Sequence, residues 1–387
     1  MTIEYSPVDV ACNIRCEYCY ENPMRDAGNI STEANWPKVK SVLKELGWQF
    51  SLHGGEPLLA SIEHLKEVFQ FGLENFGHNS IQTNGILITE EIAEIFKKYK
   101  VGVGISVDGP SDLNDYRCNG HDTKKTHDGI KILLAHNIVP SLIVTVHKLN
   151  GLPKVRRRML DWFGELEFLG ITNINLHTLE VEKGMNNLAL SEDENIDFFL
   201  DVYSWSKRHK VNFNPFIDIQ RLMTGYQSDH VMCVWNGCDP LSTPAVNGVS
   251  RNGTRSNCGR TNKEGINWVK ADKTTTERTF ILKHTPQEFG GCKDCTYFDY
   301  CRGNCPGEAI GGDWRNRSVH CRTYFALFQA IGKDFGRVPR KEREESHGDS
   351  HTDTPHIDWH GDSNSESKGV EVSWLEGSIS PSMNLPE

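Results

Sequence analysis

The run Cys12-Asn13-Ile14-Arg15-Cys16-Glu17-Tyr18-Cys19 constrains this chain more than any other stretch. Three thiols fall within eight residues, spaced C-x3-C-x2-C. A [4Fe–4S] cluster is normally held by four cysteine thiolates, one on each iron. Three thiolates leave one iron without a protein ligand, and an open metal position is where a substrate or cofactor can bind. The spacing alone also admits a zinc knuckle short of its fourth ligand, or three unrelated buried cysteines.

A second motif, Gly54-Gly55-Glu56-Pro57, follows about 35 residues after Cys19, directly behind the apolar Phe50-Ser51-Leu52. Together the two motifs resemble the radical S-adenosylmethionine enzymes. The cluster loop of that family has the form C-x3-C-x-aromatic-C, matched here by Cys12, Cys16, Tyr18 and Cys19. The resemblance implies that the open iron binds the amino and carboxylate groups of S-adenosylmethionine. It also implies that reduction splits the sulfonium and releases a 5′-deoxyadenosyl radical, which takes hydrogen from a substrate. Tyr18 would belong to the cofactor site, and Gly54, Gly55, Glu56 and Pro57 would hold the methionine amino group.

Composition sets the frame. The 387 residues suffice for two domains of ordinary size, and an apolar content of 37% fits a largely globular chain. There is no apolar run long enough to cross a bilayer. The N-terminus lacks the basic and apolar regions of a signal peptide, so a cytoplasmic location is expected, with no membrane partner. Twelve cysteines in a reducing compartment favour metal over disulfides. Ten acidic residues and a single lysine from Glu344 onward carry most of the net charge of −10. The rest of the chain is nearly neutral and shows no global bias toward nucleic acid.

Strands and helices alternate through the first half. Strands are expected over 2–11, 48–53, 80–85, 101–109, 140–146 and 172–179. Helices are expected from a cap at Ser31-Thr32-Glu33 to Leu46, and over 62–76, 90–99, 126–136 and 155–169. That alternation predicts an α/β class with a parallel sheet. About six units fit before residue 180, in agreement with the six-unit partial barrel, (β/α)6, that the resemblance implies for residues 1–225. Function in such folds gathers at the C-terminal strand ends. Related enzymes place a serine and a downstream arginine against the cofactor, matched by Ser106 and Arg117; a turn hydroxyl and a solvated charge are the plainer readings. Asp108 and Glu180 are strand-end carboxylates and candidates for a general base, although such residues more often cap helices or turns. Cys118 follows Arg117 as a leftover thiol: some family members use one as a hydrogen-atom donor, and an incidental loop thiol is the alternative.

After residue 225 periodicity weakens and eight cysteines appear: Cys233, Cys238, Cys258, Cys292, Cys295, Cys301, Cys305 and Cys321. Eight thiols would fill two complete cages of four, while C-x2-C followed by C-x3-C by itself also suits tetrahedral zinc. The array resembles the SPASM extension of radical S-adenosylmethionine enzymes, whose C-x2-C-x5-C-x3-C is met by Cys292, Cys295, Cys301 and Cys305 and completed by Cys321. The resemblance implies a cysteine-rich iron–sulfur domain over 226–337 with two interleaved cages. Cys233, Cys238, Cys258 and Cys305 would form the first, and Cys292, Cys295, Cys301 and Cys321 the second. The implied cofactors are S-adenosylmethionine and three [4Fe–4S] clusters, the auxiliary pair without open sites and therefore suited to electron transfer or to shaping the pocket.

Residues 338–387 combine low hydrophobicity with excess charge and are expected to be disordered. His347, His351, His356 and His360 there are candidate metal ligands, though a solvated tail is the simpler reading. Enzymes with this extension most often modify peptides or proteins. The leading expectation is therefore oxidative modification of a residue in a ribosomally made precursor peptide, with a crosslink as product and a flavodoxin- or ferredoxin-type electron donor. Because the first strand begins almost at Met1, a leader-gripping winged helix is not expected. Recognition would then fall to a separate leader-binding protein or to the barrel. The alternatives are a sulfatase-type maturase, a dehydrogenase or epimerase of a small molecule such as an aminocyclitol, and a non-catalytic metal scaffold.

Overall fold

The computed structural model describes residues 2–28, 33–118, 123–180, 187–225, 231–240, 246–261 and 277–337. The tail with its four histidines lies outside these residues, as does the side chain of Cys118.

Among the described residues, nine strands form one sheet: β1 (Thr2–Ser6), β2 (Phe50–Leu52), β3 (Asn79–Thr83), β4 (Val101–Ser106), β5 (Ser141–Val146), β6 (Asn173–Thr178), β7 (Asn212–Asn214), β8 (Val246–Ser250) and β9 (Arg255–Ser256). Their order is β7-β6-β5-β4-β3-β2-β1-β8-β9, and the sheet does not close on itself. All neighbours from β7 to β8 are parallel; only β9 runs antiparallel to its neighbour. The α/β class with an open parallel sheet is as expected. The sheet nevertheless outgrows the six units: β7 extends one edge, and β8, from beyond residue 225, pairs with β1 from Thr2↔Val246 to Ser6↔Ser250.

The strands alternate apolar and polar residues because the two sheet faces see different surroundings. Ile3, Tyr5, Leu52, Ile81, Val103, Ile105, Leu142, Val144, Ile174 and Leu176 are buried in the main core under the helices. Glu4, His53, Gln82, Thr145, Asn175 and His177, on the intervening positions, are only partly buried. Helix boundaries follow local chemistry. The Ser61 hydroxyl accepts from the His64 amide at 3.2 Å to start the helix Ile62–Phe76, and Gly77, at φ 82°, ends it. The helix expected from Ser31 instead begins at Trp36, capped by Asn35, because Pro37 fits the first turn and lacks the N–H an interior position needs. Around β7 the core is aromatic, with Trp162, Phe163, Phe198, Phe199, Phe213 and Phe216 almost wholly buried. Each such side chain contributes about 1.5–3 kcal/mol relative to exposure.

Candidate functional site

The C-terminal ends of β1 to β6 lie along one rim, and the motif residues meet there. The chain leaving β1 carries the three cysteines; the chain leaving β2 carries Gly54–Pro57 and docks directly on it. The Gly55 amide donates to Glu21 Oε2 at 2.8 Å, and the Glu56 amide donates to the Ala11 carbonyl at 2.8 Å. This docking explains the paired glycines. Both have positive φ, 77° at Gly54 and 53° at Gly55, and a β-carbon on Gly55 would lie 2.0 Å from the Ala11 carbonyl oxygen. Glu56, 1% exposed, does not reach outward. Its oxygens accept from Thr83 Oγ1 at 2.8 Å, the Leu58 amide at 3.1 Å and the Asn84 amide at 2.7 Å, which pins the β2 and β3 ends together. Burial pushes its pKa up against those hydrogen bonds. Asn84 Nδ2 donates to Asn13 Oδ1 at 2.7 Å and ties the β3 end to the cysteine loop.

Cys12, Cys16 and Cys19 share this loop and sense one another. Burial pushes the Cys16 thiol up to about 12; the Arg117 charge opposes the rise and the Cys19 and Cys12 thiolates add to it. Cys12 and Cys19 are likewise raised, by burial first. Arg25, which sequence reading missed, places Nη2 3.9 Å from Cys19 Sγ and anchors its Nε on the Val10 carbonyl at 2.8 Å. Among the described residues, no three or more histidine, cysteine or acidic side chains are grouped to hold a metal ion. The donor set is nevertheless suited to an iron–sulfur cluster: it consists of thiols, crowded enough to repel as thiolates, with Arg25 and Arg117 as neighbouring cations.

Tyr18, Asp108 and His147, all buried, form one network with the partly buried Arg117. Tyr18 donates to Asp108 Oδ2 in a short hydrogen bond, and Arg117 Nη1 donates to the Tyr18 oxygen at 2.9 Å. Asp108 Oδ1 accepts from the Thr145 amide at 2.9 Å, and His147 Nε2 lies 3.6 Å from Oδ2. Burial pushes the Asp108 pKa up, but His147, Arg117 and Tyr18 outweigh it and hold the carboxyl below its ordinary value. With its carboxylate wholly inside and engaged with these groups, Asp108 orients Tyr18 and the β4 and β5 ends. Ser106 is buried and accepts from Gln82 Nε2 at 3.4 Å. Glu180 pairs with Arg260 in a close ion pair, and Arg260 Nη2 lies 3.5 Å from Glu308. On β6, burial and then the Arg260 charge lower the His177 pKa to about 3, which keeps that imidazole neutral.

The other eight cysteines fall into two electrostatically linked sets. Burial first, and then neighbouring thiols, raise the pKa values of Cys233, Cys238 and Cys258, with Cys305 among those neighbours, and of Cys292, Cys301 and Cys321, with Cys295 among those neighbours. Burial takes Cys233 and Cys292 up to about 12. Two cysteines of each set, Cys238 and Cys305, and Cys292 and Cys301, act electrostatically on the guanidinium of Arg278, a second residue that no sequence pattern singled out.

Residues 7–162 match the model of the radical SAM superfamily. The cysteine-type anaerobic sulfatase-maturating enzyme of Clostridium novyi (strain NT) is 30% identical over 363 residues, covering 84% of this chain and 93% of that one. In fold, the chain is similar to native anSMEcpe with bound AdoMet and the Cp18Cys peptide, at TM-score 0.66 and 20% identity over 86% of this chain and 97% of that one. It is also similar to Streptococcus suis SuiB bound to the precursor peptide SuiA, at TM-score 0.53 and 15% identity over 82% of this chain and 74% of that one.

Proposed function

The chain belongs to the radical S-adenosylmethionine superfamily, and on that footing we propose that it is a maturase that oxidises a side chain of a peptide or protein substrate. The observation that carries this reading is the docking of Gly54–Pro57 onto the Cys12–Cys19 loop at the parallel strand ends, in a chain related over nearly its full length to a sulfatase-maturating enzyme. A [4Fe–4S] cluster bound by Cys12, Cys16 and Cys19 would supply the electron that cleaves S-adenosylmethionine and generates the hydrogen-abstracting radical. The chain's own residues do the rest. Gly54 and Gly55 keep the rim beside the cluster loop free of side chains, while Glu56, Asn84 and Glu21 hold the loop ends in place. The Asp108–Tyr18–Arg117 network fixes the aromatic residue between Cys16 and Cys19. The aliphatic Ile14, Leu179 and Leu188 pack with Cys16 and Tyr18 and keep water from that loop. Cys233, Cys238, Cys258 and Cys305 would ligate one auxiliary [4Fe–4S] cluster and Cys292, Cys295, Cys301 and Cys321 another. Either could take the electron that the substrate radical loses, while a flavodoxin- or ferredoxin-type donor would supply the electron that reduces the N-terminal cluster.

Two products fit this chemistry. Removal of one hydrogen atom, one electron and one proton from a single cysteine or serine gives an oxidised residue, the reading supported by the relationship to sulfatase-maturating enzymes. Closure of the same radical onto a neighbouring side chain, with loss of that partner's hydrogen as one electron and one proton, gives a crosslink, supported by the fold shared with a chain solved with its precursor peptide. The test is to incubate the reduced protein and S-adenosylmethionine with synthetic peptides carrying β-deuterated cysteine or serine, and with precursor peptides encoded near its gene. Deuterium in 5′-deoxyadenosine identifies the substrate, and proteolysis before mass analysis separates the readings: both lose hydrogen, but only a crosslink keeps its partners joined after cleavage between them. Turnover of S-adenosylmethionine with no transfer from any peptide, and transfer from a small molecule instead, would overturn the proposal.

A further inference from the structure

Arg278 opens the helix Glu277–His284 and is 1% exposed. A guanidinium has five N–H donors, and here every one points at a backbone carbonyl. Nε donates to Trp314 at 2.6 Å, Nη1 to Asn304 at 2.8 Å and Cys238 at 3.3 Å, and Nη2 to Asn316 at 2.9 Å and Gly303 at 3.2 Å. These carbonyls belong to the segments that carry the auxiliary cysteines: Cys238 itself, the stretch between Cys301 and Cys305, and the loop leading to Cys321. The Arg278 backbone amide donates to Asp239 Oδ2 at 3.4 Å.

A buried cation is costly unless it is both hydrogen-bonded and balanced by opposite charge. Neutral carbonyls meet the first requirement and leave the second. The opposite charge would come from these cysteines as cluster-bound thiolates: Cys305 and Cys238 of one set and Cys292 and Cys301 of the other all lie within electrostatic reach of the guanidinium. Arginine keeps its charge when buried, and its planar fork fixes five neighbours at once.

Resting on the assignment of the two cysteine sets to [4Fe–4S] clusters, we propose that Arg278 is the shared counter-charge of both auxiliary clusters, a fixed cation between them that raises both reduction potentials together. A positive charge favours the reduced, more negative form of each cluster, in the low-dielectric interior where such effects are largest. Arg278 is therefore a positioning residue that also prepares the second half of the protein to accept an electron.

The test is redox titration of the anaerobically reconstituted protein, followed by electron paramagnetic resonance, for the native chain, R278Q and R278K. If R278Q loads its clusters, the inference expects both auxiliary potentials to shift negative together, with the N-terminal cluster's unmoved and R278K close to native. No shift, or a shift of one auxiliary cluster alone, overturns it. If R278Q fails to load auxiliary iron, R278K decides: loading of both clusters shows that the charge is required, and failure of either shows that Arg278 only ties carbonyls. Zinc or no metal at the eight cysteines of the native protein would instead refute the cluster assignment, a separate failure.

Discussion

Replacing Gly54 and Gly55 singly by alanine gives a graded test of how the two motifs dock. Both positions have positive φ, so each substitution carries a backbone cost of about 1–2 kcal/mol. The surroundings differ. At Gly54 a β-carbon meets the Ser6 hydroxyl at 2.4 Å, a group that can rotate away, and the Asp9 carbonyl oxygen at 3.1 Å. At Gly55 it meets the Ala11 carbonyl oxygen at 2.0 Å and the Ala11 nitrogen at 2.9 Å. That carbonyl is held by the Glu56 amide at 2.8 Å, so relief requires the cysteine loop to move. Overpacking of this kind costs about 1–3 kcal/mol, and this is the expected excess destabilisation of G55A over G54A. Urea unfolding of the anaerobic protein measures it, with iron content of the N-terminal cluster as a second readout that should fall further in G55A. Equal stabilities, or a less stable G54A, would show that the loop does not rest on Gly55 as described.

Three further outcomes follow from the same geometry. D108N should destabilise by about 1–3 kcal/mol, because it places an amide where the wholly buried carboxylate accepts from Tyr18 and the Thr145 amide. Asp108 has a lowered folded pKa, so its stabilisation is present above the unfolded value of about 3.9 and is lost as pH falls through the folded value. Unfolding of the native protein should therefore steepen with acid in that window, and D108N should lack this component. E56Q places an amide where the carboxylate accepts from Thr83, Leu58 and Asn84, and should cost about 1–3 kcal/mol by thermal unfolding. C321S should lower iron by about four atoms per chain while leaving the absorbance of the N-terminal cluster intact; loss from both auxiliary sets would contradict their independence.

Much of this was legible in the chain because it is local. The cysteine spacings and Gly54–Pro57 lie within short runs, and the helix–strand alternation displays the parallel sheet. The illegible parts are made through space. Nothing in the sequence announces that Val246–Ser250 will lie against Thr2–Ser6, since the pairing joins segments from opposite ends of the described fold. Asp108 reads as a strand-end acid, but its carboxylate is consumed by Tyr18, Thr145 and His147, which arrive from two other segments. Arg278 and Arg25 carry no motif. Only the folded backbone shows that one collects five carbonyls and the other faces Cys19.

The central claim is radical initiation at the Cys12–Cys19 loop. The most direct measurement is release of 5′-deoxyadenosine after dithionite reduction with S-adenosylmethionine, comparing the native protein with a variant in which Cys12, Cys16 and Cys19 are alanine. The native protein, carrying about twelve irons for three clusters, should release it, and the variant should not, while keeping its auxiliary iron. No release from native protein whose first cluster is fully loaded, or equal release from the variant, would contradict the account.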